Sequence, residues 1–309
     1  MTKRKPRIAF VASGGAVKGI SHLGVLRAAE ELGLHFDILV GSSAGAMIAS
    51  VYGQGVSIDK MVDQFRPIWK RRFAGPHLGL RTFVDAPSRQ TWEGWRFLTS
   101  GISELRSFER FMRNLLPRND FRSVEKEIYV TATDIDTTER VVFGRGFIDH
   151  VPMSLSVAAS CCLPILFRPV KIDGRYFVDG ETKKTLSVDI AILRGADVVV
   201  VSNVYNPHVT PAGEMSVAHR GIGQVAMQSG NIVIHEKAMR GLDLWRQLYP
   251  HVKLVVIEPD VGHLPFINSM EARRFLKAGY LEATKRLTEA KSHGLFGDIE
   301  ESHAHLKAL

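Results

Sequence analysis

The sequence predicts an α/β protein with a largely parallel central sheet, on three observations. Short apolar runs alternate with helical stretches from the first residues to the last. The first two runs each pass through a glycine-rich turn straight into a helix. No repeat, low-complexity tract or linker interrupts the order, so residues 1–309 are expected to form a single domain. Its core is placed at 7–204, with the helices and strand of 205–309 packed on it.

The elements follow in order. RIAFVAS (7–13) is a strand that ends at Gly14-Gly15. Residues 18–32 read as a helix, because Ile20, Leu23, Val25, Leu26 and Ala29 recur near helical spacing and Gly33 can end it. FDILVGS (36–42) is a strand, and 44–53 a helix closing at Gly53. Ser57 is a plausible N-cap for a helix that the sequence breaks near Pro67. An irregular stretch with Phe83, Trp92, Trp95 and Phe97 precedes an amphipathic helix at 107–116, with Ser107 as its cap. Segments 127–135 and 139–144 flank a turn at Asp136-Thr137-Thr138 and predict a hairpin. Residues 152–164 are a small-residue helix. A second hairpin, 167–180, turns at Asp173-Gly174, the strongest short hairpin signal. Residues 189–204 give helix, Gly195 and strand. A long helical stretch (215–247), a strand (252–260) and a closing helix (268–292) complete the chain.

Bulk composition narrows the class. With 45% hydrophobic and 23% charged residues the chain is of soluble globular type. No apolar run reaches the length of a membrane span. The basic start MTKRKPRIAF is followed by an apolar segment too short for a signal-peptide core, so a cytoplasmic location is expected. Cys161 and Cys162 are adjacent, which disfavours a disulfide and offers no metal framework; they read as buried small hydrophobes. The net charge of +8 favours anionic surfaces without choosing between membrane and nucleic acid.

The chemistry is expected at three places. Gly41-Ser42-Ser43-Ala44-Gly45 matches G-x-S-x-G, follows a strand and opens a helix, the setting a nucleophile elbow needs. Gly41 and Gly45 permit the close backbone approach of that turn, and Ser43 stands at a helix N-terminus that can stabilise negative charge. Ser42 is the variable position, expected to pack or hydrogen-bond within the turn. SGGAVKG (13–19) is a second strand-to-helix loop that fits neither nucleotide-binding glycine pattern. Its backbone N–H groups are suited to an oxyanion. Ser43 needs a base. His208, His219, His235 and His263 come late enough for the order Ser…Asp…His, but none has a distinctive local context. Asp179, in YFVDGE at the end of a strand, is the other candidate.

Together, SGGAVKGISHLGVL, GSSAGAM and SLSVAASCCLPILFRPVKIDGRYFVDG resemble the patatin-like phospholipases, in particular their compact bacterial members. The resemblance spans roughly residues 7–204. It implies a three-layer α/β/α fold and a Ser–Asp dyad, with Ser43 as nucleophile and Asp179 as base. It also implies an oxyanion hole from the N–H groups of Gly14, Gly15 and Ala16, with Lys18 as the basic loop position and Gly19 and Gly180 as supporting glycines. The activity implied is hydrolysis of phospholipid or other acyl-ester lipids without cofactor or metal, and with no nucleic-acid partner. Two positions depart from the family pattern. Ala16 replaces the third loop glycine, and Glu181 replaces the small residue after Asp-Gly. A second carboxylate beside Asp179 can raise its pKa by like-charge repulsion or point to solvent.

Two alternatives remain open on sequence: a Ser-His-Asp esterase or acyltransferase on a related layout, and a non-catalytic regulatory relative. FRPIWKRRFAG (65–75) sets Trp69 and Phe73 beside Lys and Arg, the composition of an interfacial anchor. Residues 65–100 are therefore expected to form a mobile cover or a peripheral membrane-docking surface near Ser43.

Overall fold

In the computed structural model, residues 3–70, 104–207, 209–261 and 272–300 are described. The central sheet is built from β2 (Ile8–Ala12), β3 (Ile38–Ser42), β4 (Glu127–Asp134), β5 (Arg140–Phe143), β6 (Val170–Ile172), β7 (Arg175–Asp179), β8 (Val198–Ser202) and β9 (Lys253–Ile257). Its order is β6-β7-β4-β3-β2-β8-β9, with β5 paired to β4 off that path. The run β4-β3-β2-β8-β9 is parallel throughout, whereas β5 and β7 lie antiparallel to β4. A separate ribbon pairs β1 (Lys3–Arg4) with β10 (Ile299–Glu300).

The parallel strands are apolar at nearly every position because both faces are covered. Alternation sends Ile8, Phe10, Val198 and Val200 to one core and Ala9, Val11, Val199 and Val201 to the other. On the first side lie α1 (Ser21–Glu31), α2 (Ala44–Tyr52), α3 (Ile58–Lys70), α4 (Arg106–Leu115), α5 (Met153–Ser160) and α8 (Ala272–Ser292). On the second lie α6 (Val188–Leu193) and α7 (Ile222–Leu248). The three-layer α/β/α arrangement follows directly.

Over the described residues the order of the central strands and helices agrees with the sequence reading; the β1–β10 ribbon was not expected, and the remaining differences are local. The first predicted helix starts with a 3₁₀ turn, Ala16–Ile20, before α1. Helix α3 runs through Pro67 to Lys70 rather than breaking there. Proline removes one backbone donor, and the helix tolerates that single loss. Leu105 stands at the N-cap of α4, which places Ser107 inside the helix. The long helical stretch divides into a 3₁₀ turn, Val217–His219, and α7, separated by Gly221 at φ 92°. The aromatic stretch with Trp92 and Trp95, and the side chain of Trp69, lie outside the described residues, as do His208 and His263.

Register explains how remote residues meet. The carboxyl ends of neighbouring β2 and β3 carry the 14–16 loop and Ser43. Ser42 pairs with Thr131 of β4, and the next β4 residue, Ala132, pairs with Asp179. Because β7 runs antiparallel, the β6–β7 hairpin descends from beyond the sheet end and delivers Asp179 at the level of Ser43.

Candidate active site

Ser43 is 4% exposed and holds φ 52° and ψ −123°, a left-handed conformation that a non-glycine residue adopts only when its surroundings impose it. Three features impose it. Its N–H donates to Ser160 Oγ at 2.8 Å, at the end of α5. Its carbonyl starts α2 by accepting from Met47 N at 3.2 Å. The turn is compressed: a methyl group on Gly45 would overlap Ala12 O and come within 2.6 Å of Ser13 O. Gly41 and Gly180 are equally confined, against Ala46 N and Thr131 O. Gly19 backs onto the Ala44 side chain.

The glycine-rich loop reaches the same spot from β2. A methyl group on Gly14 would come within 2.9 Å of Ser43 Cβ and 2.7 Å of Tyr205 Oη. Gly15 at φ 136° and Ala16 at φ 47° then reverse the chain into the 3₁₀ turn. Among the described residues, the N–H groups of Gly15 and Ala16 donate to no protein acceptor. Behind the loop, buried His22 contacts Ser13 O (3.0 Å) through Nε2 and Ser202 Oγ (2.7 Å) through Nδ1. The Ser13 hydroxyl also accepts from Val204 N at 3.1 Å. The base of the loop is thereby pinned to the end of β8. Lys18 is 1% exposed, and its ammonium has no hydrogen-bond partner among the described residues; burial lowers its pKa to about 8.

Asp179 lies 2% exposed at the end of β7. Its backbone is fixed by N–H donation to Cys162 O (2.9 Å) and by Thr133 Oγ1 donating to its carbonyl (3.1 Å). Its Oδ1 accepts from Glu181 N at 2.9 Å. Its Oδ2 has no geometrically complete hydrogen bond among the described residues, although the Ser43 hydroxyl stands near enough to favour the charged form. Burial is the largest effect and pushes the Asp179 pKa up to about 6, against the Glu181 N–H, the Ser43 hydroxyl and the Lys237 ammonium. A carboxylate ionised at neutral pH and poorly solvated is a better proton acceptor than an exposed one.

Glu181 is buried, not solvent-facing. Its Oε1 accepts from Gly14 N at 2.8 Å; its Oε2 has no complete hydrogen bond among the described residues, although the Thr185 hydroxyl stands near enough to favour the charged form. Burial, and then the Asp179 charge, raise its pKa to about 7. Lys237 of α7 donates to the Glu181 carbonyl at 2.7 Å.

Several contributors escaped the sequence reading. Ser160 sits inside the small-residue helix, where its hydroxyl had no visible partner. Cys161 faces Ser43, and burial raises its thiol pKa; with Cys162 it remains a free thiol. His22, Tyr205 and Lys237 carry no local motif. Ser42 takes the first of its two expected roles: it packs within the turn where Gly180 leaves room, its buried hydroxyl having no hydrogen-bond partner among the described residues. No histidine ring is hydrogen-bonded to Ser43 among the described residues; His235 lies 3.5 Å from Glu258 instead.

His22 sets an acid limit on stability. Burial lowers its pKa from 6.5 to about 4. Its contribution is therefore complete above about pH 6.5 and is lost as pH falls toward 4, by roughly 3 kcal/mol at most. The raised carboxyls Asp179 and Glu181 act in the opposite sense over part of that range. They are common to wild type and His22→Gln, so they cancel in the difference. Urea unfolding at about pH 7 and pH 4.5 is expected to show a smaller acid loss for His22→Gln than for wild type.

A family model described as patatin-like phospholipase matches residues 10–192, and the chain belongs to that family. Among curated relatives, it is 26% identical over 204 residues to "Lysophospholipase nte1" of Aspergillus fumigatus, covering 64% of this chain and 12% of that protein. It is 23% identical over 207 residues to "Uncharacterized NTE family protein Rv1063c" of Mycobacterium tuberculosis, covering 67% and 51%. The chain thus spans about an eighth to a half of the length of these relatives. Two solved structures share the fold. VipD from Legionella pneumophila has a TM-score of 0.50 at 16% identity, covering 93% of this chain and 67% of that one. Human GIVD cytosolic phospholipase A2, bound to methyl gamma-linolenyl fluorophosphonate, has a TM-score of 0.51 at 11% identity, covering 94% and 58%.

Proposed function

We propose that the protein is a lipid acyl hydrolase using Ser43 as nucleophile and Asp179 as its base. The observation that carries this reading is the convergence of a strained, buried serine, a buried carboxyl of raised pKa and a loop whose Gly15 and Ala16 N–H groups donate to no acceptor among the described residues, all at one end of the sheet. Asp179 takes the Ser43 proton as Oγ attacks the ester carbonyl. The developing oxyanion is met by N–H groups of the 14–16 loop and by the N-terminus of α2. The alcohol or lysolipid leaves with a proton from Asp179, and water, deprotonated by the same group, releases the fatty acid from Ser43.

The relatives' names support a phospholipid or lysophospholipid substrate. No helix among the described residues is long and apolar enough to cross a membrane. Substrate is then reached at the lipid surface, and residues 65–100, rich in Trp and Lys/Arg, are the segment proposed for that contact. Alanine replacement of Trp69, Arg71 and Arg72 together is expected to weaken vesicle binding while sparing hydrolysis of a short soluble ester; unchanged vesicle binding removes the docking role.

The substrate class is tested by product analysis on phospholipids, lysophospholipids and acylglycerols, with Ser43→Ala as control. Release of free fatty acid by wild type alone is the expected outcome. Equal release by Ser43→Ala rejects the mechanism.

A further inference from the structure

Glu181 stands where the reaction needs an empty donor. Its Oε1 lies 2.8 Å from Gly14 N, the position an oxyanion would take on that N–H. Gly14 in turn abuts the Ser43 side chain, so the occupied donor is the one beside the nucleophile. We propose that Glu181 is a built-in occupant of the oxyanion loop, holding Gly14 N–H in the resting enzyme and withdrawing before an acyl carbonyl can use it. This rests on the Ser43–Asp179 reading above.

One further observation bears on the proposal. Glu181 is attached by one complete hydrogen bond from its side chain, and its second oxygen is buried with no complete bond among the described residues, although the Thr185 hydroxyl stands near enough to favour its charged form; so light an attachment favours release. An ionised Glu181 opposes catalysis twice: it competes for the donor, and its charge repels the developing oxyanion. Protonation removes the repulsion and weakens the competition.

The charged and titratable groups around it define the pH response. Asp179 precedes it in the chain, Tyr205 follows β8, and Lys237 projects from α7. Asp179 and Glu181 titrate as a coupled pair, and the productive form carries one negative charge, on Asp179. Activity should rise as Asp179 ionises near pH 6 and decline as Glu181 ionises near pH 7.

The test measures kcat/KM for p-nitrophenyl butyrate across about pH 5–9 in wild type, Glu181→Ala and Glu181→Gln, each with and without Ser43→Ala. Glu181→Ala should abolish the alkaline decline and exceed wild type about tenfold or more at pH 8, since one oxyanion donor is worth about 10²–10³ in rate. Glu181→Gln keeps an acceptor on Gly14 but no charge. It should lose the decline with a smaller gain, and it decides the matter if circular dichroism shows Glu181→Ala unfolded. A persisting alkaline decline, or no gain in folded Glu181→Ala, overturns the proposal. When Ser43→Ala abolishes hydrolysis in those same proteins, only the Glu181 role fails. Hydrolysis surviving Ser43→Ala rejects the dyad and the Glu181 role with it.

Discussion

Asp179→Asn should fold normally and lose about 10³-fold or more in kcat/KM, close to the loss from Ser43→Ala. Asparagine keeps the shape and can still accept from Glu181 N, so the turn at 179–181 survives. What disappears is the proton acceptor. Among the described residues, Asp179 is the carboxyl whose charged form the Ser43 hydroxyl favours, and no imidazole is hydrogen-bonded to Ser43, so the missing base has no ready substitute there. The near equality of the two single losses, with the double variant no worse than either, would be the signature of groups acting as a unit. Circular dichroism and thermal unfolding check the fold, and steady-state hydrolysis of a soluble ester gives the rate. A decrease of less than about tenfold in Asp179→Asn would mean that another group takes the proton.

Gly45→Ala should damage both stability and activity. The added methyl would overlap Ala12 O and crowd Ser13 O at the end of β2, backbone atoms that cannot swing aside. Overpacking of this kind costs about 1–3 kcal/mol. Relief must come from moving α2 away from β2, which separates Ser43 from the 14–16 loop. A displacement near 1 Å can cost about 10²-fold in rate. Gly230→Ala is the matched control: it lies within α7, and beyond the helix's own neighbouring backbone no atom of the described residues comes within 4 Å of the new methyl. There alanine should stabilise the helix by up to ~1 kcal/mol. Urea denaturation of the two variants tests both signs.

The fold was legible because the parallel strands advertise themselves. IAFVA is apolar throughout and VVVVS up to its last residue, and the glycines of GSSAG and SGG mark the turns. The nucleophile was equally plain, since G-x-S-x-G in a strand–turn–helix setting is a local signal. Asp179 was visible only through its family motif, because its approach to Ser43 depends on register across β4, a non-local property. Ser160, His22, Tyr205 and Lys237 act through contacts between elements far apart in sequence, which no local pattern encodes. Glu181 was recognised as a departure, but its destination on Gly14 N, 167 residues away, required the folded chain.

Labelling by a fluorophosphonate probe, mapped by peptide mass spectrometry, tests the dyad most directly. An activated Ser43 should attack phosphorus, expel fluoride and carry the phosphonyl group on the peptide containing GSSAG. Wild type should label on Ser43 alone, with Asp179→Asn strongly slowed and Ser43→Ala unmodified. Modification of another residue, or equal labelling of wild type and Asp179→Asn, would contradict a Ser43 activated by Asp179.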